Sequence, residues 1–138
     1  MPRLWELCRE GKLAEVRSAL ARGEDVNSKD SSGRTALIIA VLNEHNSIVK
    51  LLLDQPAVDV NMKNDYGRTA LHYAAWSNNT EGARMLLLHK DISSNVTDDN
   101  GDSALVLAVR KRNEEVLREL VEHQCVSLDV GRLETDQR

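Results

Sequence analysis

The side chains best suited to chemistry are few, and their spacing does not assemble a site. His123 and Cys125 are close in sequence, but a structural zinc site normally takes four ligands. His89 and His123 occupy equivalent positions in a repeat described below, so their spacing needs no metal. The sequence contains no G-x-S-x-G, phosphate-loop or H-E-x-x-H motif. We therefore predict that the chain is not an enzyme and uses no metal and no cofactor.

An acidic run, Asp98-Asp99-Asn100-Gly101-Asp102, resembles the start of a calcium-binding loop. It lacks the later ligands and the distal glutamate that such a loop requires. Its glycine also falls at a position that the repeat explains. We therefore interpret the run as a turn.

Composition narrows the class of protein. The chain has 138 residues, 41% hydrophobic and 29% charged, which is typical of one globular domain. A formal net charge of −4 gives no basic footprint for nucleic acid. No apolar stretch reaches the roughly 18 residues of a membrane helix, and the first residues do not resemble a secretory signal. The two cysteines form no spacing motif. We expect a cytoplasmic or nuclear monomer that binds neither membrane nor nucleic acid.

Four similar segments make up almost the whole chain. The motif Gly33-Arg34-Thr35-Ala36-Leu37 returns as Gly67-Arg68-Thr69-Ala70-Leu71 and again as Gly101-Asp102-Ser103-Ala104-Leu105, at steps of 34 residues. We call the segments copies one to four, with bounds near 1–29, 30–63, 64–97 and 98–130, in a single domain followed by a polar tail at 131–138. One such unit cannot bury its apolar side chains alone, so the copies must stack into a solenoid.

Each copy has the pattern of two short helices followed by an extended turn. A hydroxyl residue precedes the first helix and can cap its free amide groups. These residues are Thr35, Thr69 and Ser103. Alanine recurs on the apolar stripe of the first helix, where a small side chain lets adjacent copies approach closely; these residues are Ala40, Ala74 and Ala108.

The repeated residues resemble those of a known family. The segment 67–75, GRTALHYAA, resembles the G-x-T-P-L-H-x-A-A signature of ankyrin repeats, and the segment 23–27, GEDVN, resembles their G-A-D-V-N segment. The resemblance covers about residues 4–130. It implies an all-α solenoid of helix-turn-helix pairs with β-hairpin-like tips. It also implies a concave surface of tips and first helices that binds other proteins.

The copies depart from that signature at positions that matter for folding. Alanine replaces the signature proline, and only His72 keeps the signature histidine, which the resemblance implies is a structural hydrogen-bonding group. The residue that links the two helices is Gly11 in copy one but Glu44, Asn78 and Arg112 in the later copies. If this linker needs a positive φ, we expect the later linkers to be strained.

Two registers bear on the ends of the stack. One second-helix register reads Ser18, Leu51, Met85 and Glu119, and one first-helix register begins with the polar Glu6. Because end copies of a solenoid need polar outer faces, we interpret the unit as self-capped. The tail 131–138 lacks the glycine of another copy, so we expect no fifth repeat.

The resemblance places the candidate binding residues at the tips and at the ends of the first helices. Tyr66 and Trp76 belong to one copy and have arginines around them, and these three residue types are enriched in interface hot spots. The predicted partner-binding residues are Arg34, Asn43, Tyr66, Arg68, Trp76, Asp102, Arg110 and Lys111. The alternative is that Trp76 packs on the neighbouring copy and Tyr66 is only an exposed turn residue.

The resemblance also implies a modification site. The asparagine of the V-N segment is a recurrent target of asparaginyl hydroxylation in this family. Asn61 fits that preference best, since Leu53 precedes it by eight residues and Asp59-Val60 is adjacent. The alternative is that Asn61 only ties down its turn through side-chain hydrogen bonds.

The function that these observations favour is a non-enzymatic protein-protein interaction module whose partner is a protein. The alternative is a structural spacer or targeting segment of a larger multidomain protein, with no strong partner of its own.

Overall fold

The computed structural model describes residues 2–123, and within them the chain forms eight helices. These are α1 (Leu4–Glu10), α2 (Leu13–Ala21), α3 (Ala36–Leu42), α4 (Asn46–Leu53), α5 (Ala70–Ser77), α6 (Thr80–Leu88), α7 (Ala104–Lys111) and α8 (114–123). At the first tip, Lys29 and Thr35 form an isolated antiparallel bridge. In this part of the chain, no helix has both the length and the apolar character needed to span a bilayer.

The helices stack in two rows. The first helices α1, α3, α5 and α7 each contact the next in order, and α2, α4 and α6 form a second row behind them. Each pair, such as α3 with α4, packs within its own copy. The predicted all-α solenoid of helix pairs is therefore confirmed. Ala40, Ala74 and Ala108 are completely buried, as close packing between copies requires.

The predicted hydroxyl caps are present. The side-chain oxygen of Thr35 accepts from the backbone N–H of Ile38 at 3.1 Å, and that of Ser103 accepts from Val106 at 3.3 Å. Thr69 forms a reciprocal capping box with His72, whose Nδ1 accepts from the backbone N–H of Thr69. The first helices thus begin where the sequence predicts.

The linkers between paired helices adopt the left-handed conformation. Gly11 has a φ of +75°, and Glu44, Asn78 and Arg112 have φ values of +59°, +56° and +58°. A residue with a β-carbon is strained there by roughly 1–2 kcal/mol, and asparagine suffers least. The predicted strain at Glu44 and Arg112 is confirmed.

Cys8 is a buried packing residue. Its side chain is completely enclosed, and burial raises the pKa of its thiol to about 12. It therefore remains a neutral thiol at physiological pH, in which form it is a poor nucleophile.

The prediction of a polar outer face on copy four is wrong for the residues that the structure describes. Glu119 faces the preceding copy, where its carboxylate pairs with Arg84 at 2.7 Å. Val106, Val109 and Val121 are exposed instead. The register used for the prediction therefore points toward the previous copy. The predicted tail, 131–138, lies outside the described residues.

Candidate functional site

Each tip is organised by one side chain that accepts backbone hydrogen bonds from residues two and four positions later. In copy four, Oδ1 of Asp98 accepts from the N–H groups of Asn100 and Asp102, and Oδ2 accepts from Nε of Arg68 at 3.1 Å. Burial alone raises the pKa of Asp98, but these donors outweigh it and hold the pKa below its usual value. The carboxylate oxygens of Asp98, in the run that resembles a calcium-binding loop, thus stabilise the turn through hydrogen bonds.

The tips of adjacent copies stack closely. The backbone N–H of Asp99 donates to the carbonyl of Tyr66 at 3.0 Å. A β-carbon on Gly67 would lie 2.5 Å from Oδ1 of Asp99, and one on Gly33 would collide with Oδ1 of Asp65. Glycine is therefore required at these tips both for its positive φ and for the close approach of the next tip.

The centre of the candidate surface is Trp76, at the end of α5. The indole is 39% exposed. The ammonium nitrogen of Lys111, from the next copy, lies 3.6 Å from the ring centroid, and the guanidinium carbon of Arg68 lies 5.2 Å from it. These are cation–π distances, so two cations hold an exposed aromatic ring in one orientation.

The structure brings together only some of the other predicted binding residues. Arg110 pairs with Asp102 through two hydrogen bonds of 2.7 and 3.3 Å, immediately beside Lys111 in sequence. Tyr66 lies at the tip and is 64% exposed. In copy two, by contrast, the Arg34 side chain bonds Asp30 at 3.0 Å, and Asn43 donates to the Ile39 carbonyl of its own helix. The cluster that the contacts define is Arg68, Trp76 and Lys111.

His72 is built into the interior. Its Nε2 lies 2.9 Å from the carbonyl oxygen of Asp102 and its Nδ1 lies 3.1 Å from the N–H of Thr69, so the ring donates through Nε2 and accepts through Nδ1. Burial lowers the pKa of His72 and outweighs the contribution of the Asp102 carbonyl, which raises it. The structural hydrogen-bonding role that the resemblance implies is confirmed.

Sequence reasoning missed a set of bonds that join neighbouring copies at the start of the second helices of copies two to four. The side chains there donate to carbonyls at the end of the preceding copy's first helix. The pairs are His45 with Arg9 at 3.1 Å, Asn79 with Val41 at 3.0 Å and Asn113 with Ala75 at 2.6 Å. The sequence contains a signal for these bonds, because a side chain with an amide or imidazole group recurs at this position every 34 residues.

Asn61 ties down a turn, as the simpler hypothesis proposes, but the turn belongs to the next copy. Its Nδ2 donates to the carbonyl of Asp91 at 2.8 Å, and its Oδ1 accepts from the N–H of Ser93 at 2.9 Å. Asn27 makes the same two bonds to the loop after α4. Both amide ends of Asn61 are therefore engaged.

Cavities and titratable clusters add no chemical site. Within residues 2–123, no group of three or more His, Cys, Asp or Glu side chains is placed to hold a metal ion. A groove of about 570 Å³ lies on the second row of helices, where Leu53, Met85 and Leu88 form its apolar lining. It is separate from the cluster around Trp76.

This chain matches models of a protein family and, over a shorter segment, individual proteins. A family model of ankyrin repeats, in three copies, matches residues 4–98, and a model of a single ankyrin repeat matches residues 100–131. The chain is also similar to the mitochondrial disaggregase of Homo sapiens, with 44% identity over 50 residues, and to that of Bos taurus, with 40% identity over 50 residues. Each match covers 36% of this chain and 7% of the relative.

Proposed function

The chain belongs to the ankyrin-repeat family, and we propose that it is a protein-protein interaction module without enzymatic activity. Members of this family are generally protein-protein interaction modules. The proposed mechanism is rigid presentation of a concave surface of tips and first helices to a protein partner. The observation that carries the proposal is the exposed indole of Trp76, held between Lys111 and Arg68.

The geometry of Trp76 favours binding because the ring is already ordered. Immobilising a side chain on association costs roughly 0.5–1.5 kcal/mol, and contacts with two cations reduce that cost. The surrounding helices are held by buried side chains, so loops and ring meet the partner as a fixed surface. The proposed contact residues are Arg34, Asn43, Tyr66, Arg68, Trp76, Asp102, Arg110 and Lys111.

A spacer or targeting segment is the second candidate. It is favoured by the match to the disaggregases, in which only a short part of a much longer protein resembles this chain. In that case the exposed indole has no dedicated partner.

Affinity capture with the full chain as bait separates the two candidates. The test bait carries Tyr66→Ala and Trp76→Ala, and the matched control carries Leu88→Ala, which removes an 80% exposed side chain from α6. We expect a protein that the wild type and the control retain and the test bait loses, with all three unfolding at similar temperatures. Identical captured proteins from all three baits would mean that this surface is wrong or that the domain is a spacer.

The absence of enzymatic activity is part of the proposal. Both ring nitrogens of His72 are occupied by internal hydrogen bonds, which supports a structural role over general acid–base catalysis. Turnover by the purified chain that disappears in a folded His72→Ala variant would overturn this part of the proposal.

Hydroxylation of Asn61 is proposed as a modification that competes with its own hydrogen bonds. Reaction requires the loop at Asp91 to release the amide first. Peptide mass spectra of the protein from animal cells should show one added oxygen on Asn61. Asn27 is the matched control, because it makes the same bonds but lacks a leucine eight residues earlier.

We also propose that the protein is a monomer in the cytoplasm or nucleus and binds neither nucleic acid nor membrane. Light scattering during gel filtration should give the mass of one 15.4 kDa chain. Imaging of a tagged chain should place it outside membrane-bound organelles other than the nucleus.

A further inference from the structure

The cations near Trp76 differ in how far their charge is already balanced. Arg68 bonds Asp98, and Arg110 bonds Asp102. Lys111 has no carboxylate oxygen within 4 Å among residues 2–123, and its ammonium group lies over the indole. The ring face therefore carries one cation that its neighbours do not neutralise.

The ends of the first helices also lack acidic side chains near Trp76. The register of Trp76 reads Arg9, Leu42, Trp76 and Arg110, and the next register reads Glu10, Asn43, Ser77 and Lys111. The one acidic residue, Glu10, is in copy one and pairs with Lys12. The exposed acids Asp65 and Asp99 belong to the tips. Around the indole the helix ends are thus basic, although the whole chain has a net charge of −4.

From this arrangement we infer that the surface at Trp76 binds an extended acidic peptide, with an aspartate or glutamate carboxylate on Lys111 and an adjacent apolar side chain on the indole. The inference rests on the proposed function and specifies the partner. An ammonium group has three N–H donors, so the contact with the ring leaves donors for a carboxylate. A basic segment would instead meet the unbalanced ammonium group of Lys111 with like charge, which disfavours it.

The test uses peptides of defined composition. Random twelve-residue peptides displayed on phage are selected on the full chain, and the best are synthesised. Binding is then followed by Trp76 fluorescence in a Trp5→Phe background, where Trp76 is the one tryptophan left. We expect selected peptides rich in Asp and Glu, with binding that weakens as salt is raised.

Charge reversal decides the result. Lys111→Glu should weaken the binding of acidic peptides by about tenfold or more. Selection on this variant should shift toward peptides that contain Lys and Arg. Lys111→Met removes the charge and keeps an unbranched side chain only one atom shorter, and it tests the same point should Lys111→Glu disturb the fold. Arg9→Glu is the matched control, since Arg9 is a cation at the end of the first helix of copy one, in the register of Trp76, and it should change affinity less than twofold.

The outcomes separate this inference from the proposed function. Peptides that need Trp76 but are neutral or basic, or that bind Lys111→Glu and Lys111→Met as well as wild type, would overturn the inference and leave the interaction module standing. A selection that yields no peptide dependent on Trp76 would count against both.

Discussion

The junction between copies three and four and the far side of copy four use the same sequence registers in different surroundings. At the junction, Ala75 is completely buried, and His72 reaches the carbonyl of Asp102. On the far side of copy four, the equivalent residues Val109 and Val106 are exposed. The comparison teaches that a register acquires its energetic value from the neighbouring copy, since Ala75 and Val109 are both apolar and only Ala75 is covered.

The largest expected contrast concerns the tip glycines. Gly67→Ala should destabilise the fold by about 3 kcal/mol or more, because the new β-carbon meets Asp99 and the φ of +74° strains any side chain. Gly101 has a φ of +80°, and an added β-carbon there would meet nothing within 4 Å beyond its chain neighbours among residues 2–123, so Gly101→Ala should cost only about 1 kcal/mol. Urea unfolding monitored by circular dichroism measures both. Equal losses would mean that the close approach of the tips contributes nothing.

A methyl-deletion pair gives the next largest contrast. Val41→Ala, at a completely buried position, should cost about 2 kcal/mol through lost burial and a residual cavity. Val109→Ala occupies the same register but is 57% exposed, so its effect should stay within about 0.5 kcal/mol. Both variants remove the same atoms from a valine side chain, so the comparison isolates the effect of burial. A large loss in Val109→Ala would show that something covers this face in solution.

The linkers allow a stabilising change. Arg112→Gly should raise the free energy of unfolding by about 1 kcal/mol, because glycine adopts a φ of +58° without strain. Asn78→Gly should gain less, since asparagine already tolerates this conformation. Chemical denaturation of both variants tests the ranking, which a larger gain at Asn78 would contradict.

The smallest contrast is a dependence on pH. Burial holds the pKa of His72 below its ordinary value of 6.5, so below that value the unfolded chain binds more protons than the folded chain. Stability from this residue is therefore complete above pH 6.5 and is lost as the pH falls through the unfolded and then the folded pKa. The melting temperature should drop more between pH 7.5 and 5.5 for wild type than for His72→Gln, which keeps a capping-box side chain. Parallel curves for the two proteins would contradict this account.

The repeat made much of the fold predictable from sequence. The spacing of 34 residues, the hydroxyl caps and the strained linkers at Glu44 and Arg112 follow from local residue types, and local rules govern them in the structure. Local residue types do not predict whether a side chain points toward the preceding copy or toward the outer face of the stack. The register of Glu119 predicts an outer face, but its carboxylate pairs with Arg84 of the copy before it.

The candidate site was predictable in part. Residue types and registers indicated Tyr66 and Trp76, and both are exposed. The contact between Lys111 and the indole depends on the offset between two copies and on the path of a flexible side chain, which no single register specifies. The bonds from Asn79 and Asn113 were recoverable, because their recurrence is visible in the sequence.

The bonds made by Asn27 and Asn61 bear on how this sequence can evolve. Each amide reaches a backbone carbonyl 30 residues ahead and a backbone N–H 32 residues ahead. Because the partners are backbone atoms, these bonds themselves set no requirement on the side chains at the partner positions. An inserted or deleted residue between an asparagine and its partners must instead be absorbed by a loop before both bonds can form again. Descendants of this chain should therefore diverge by substitution far more readily than by changes of length within a repeat.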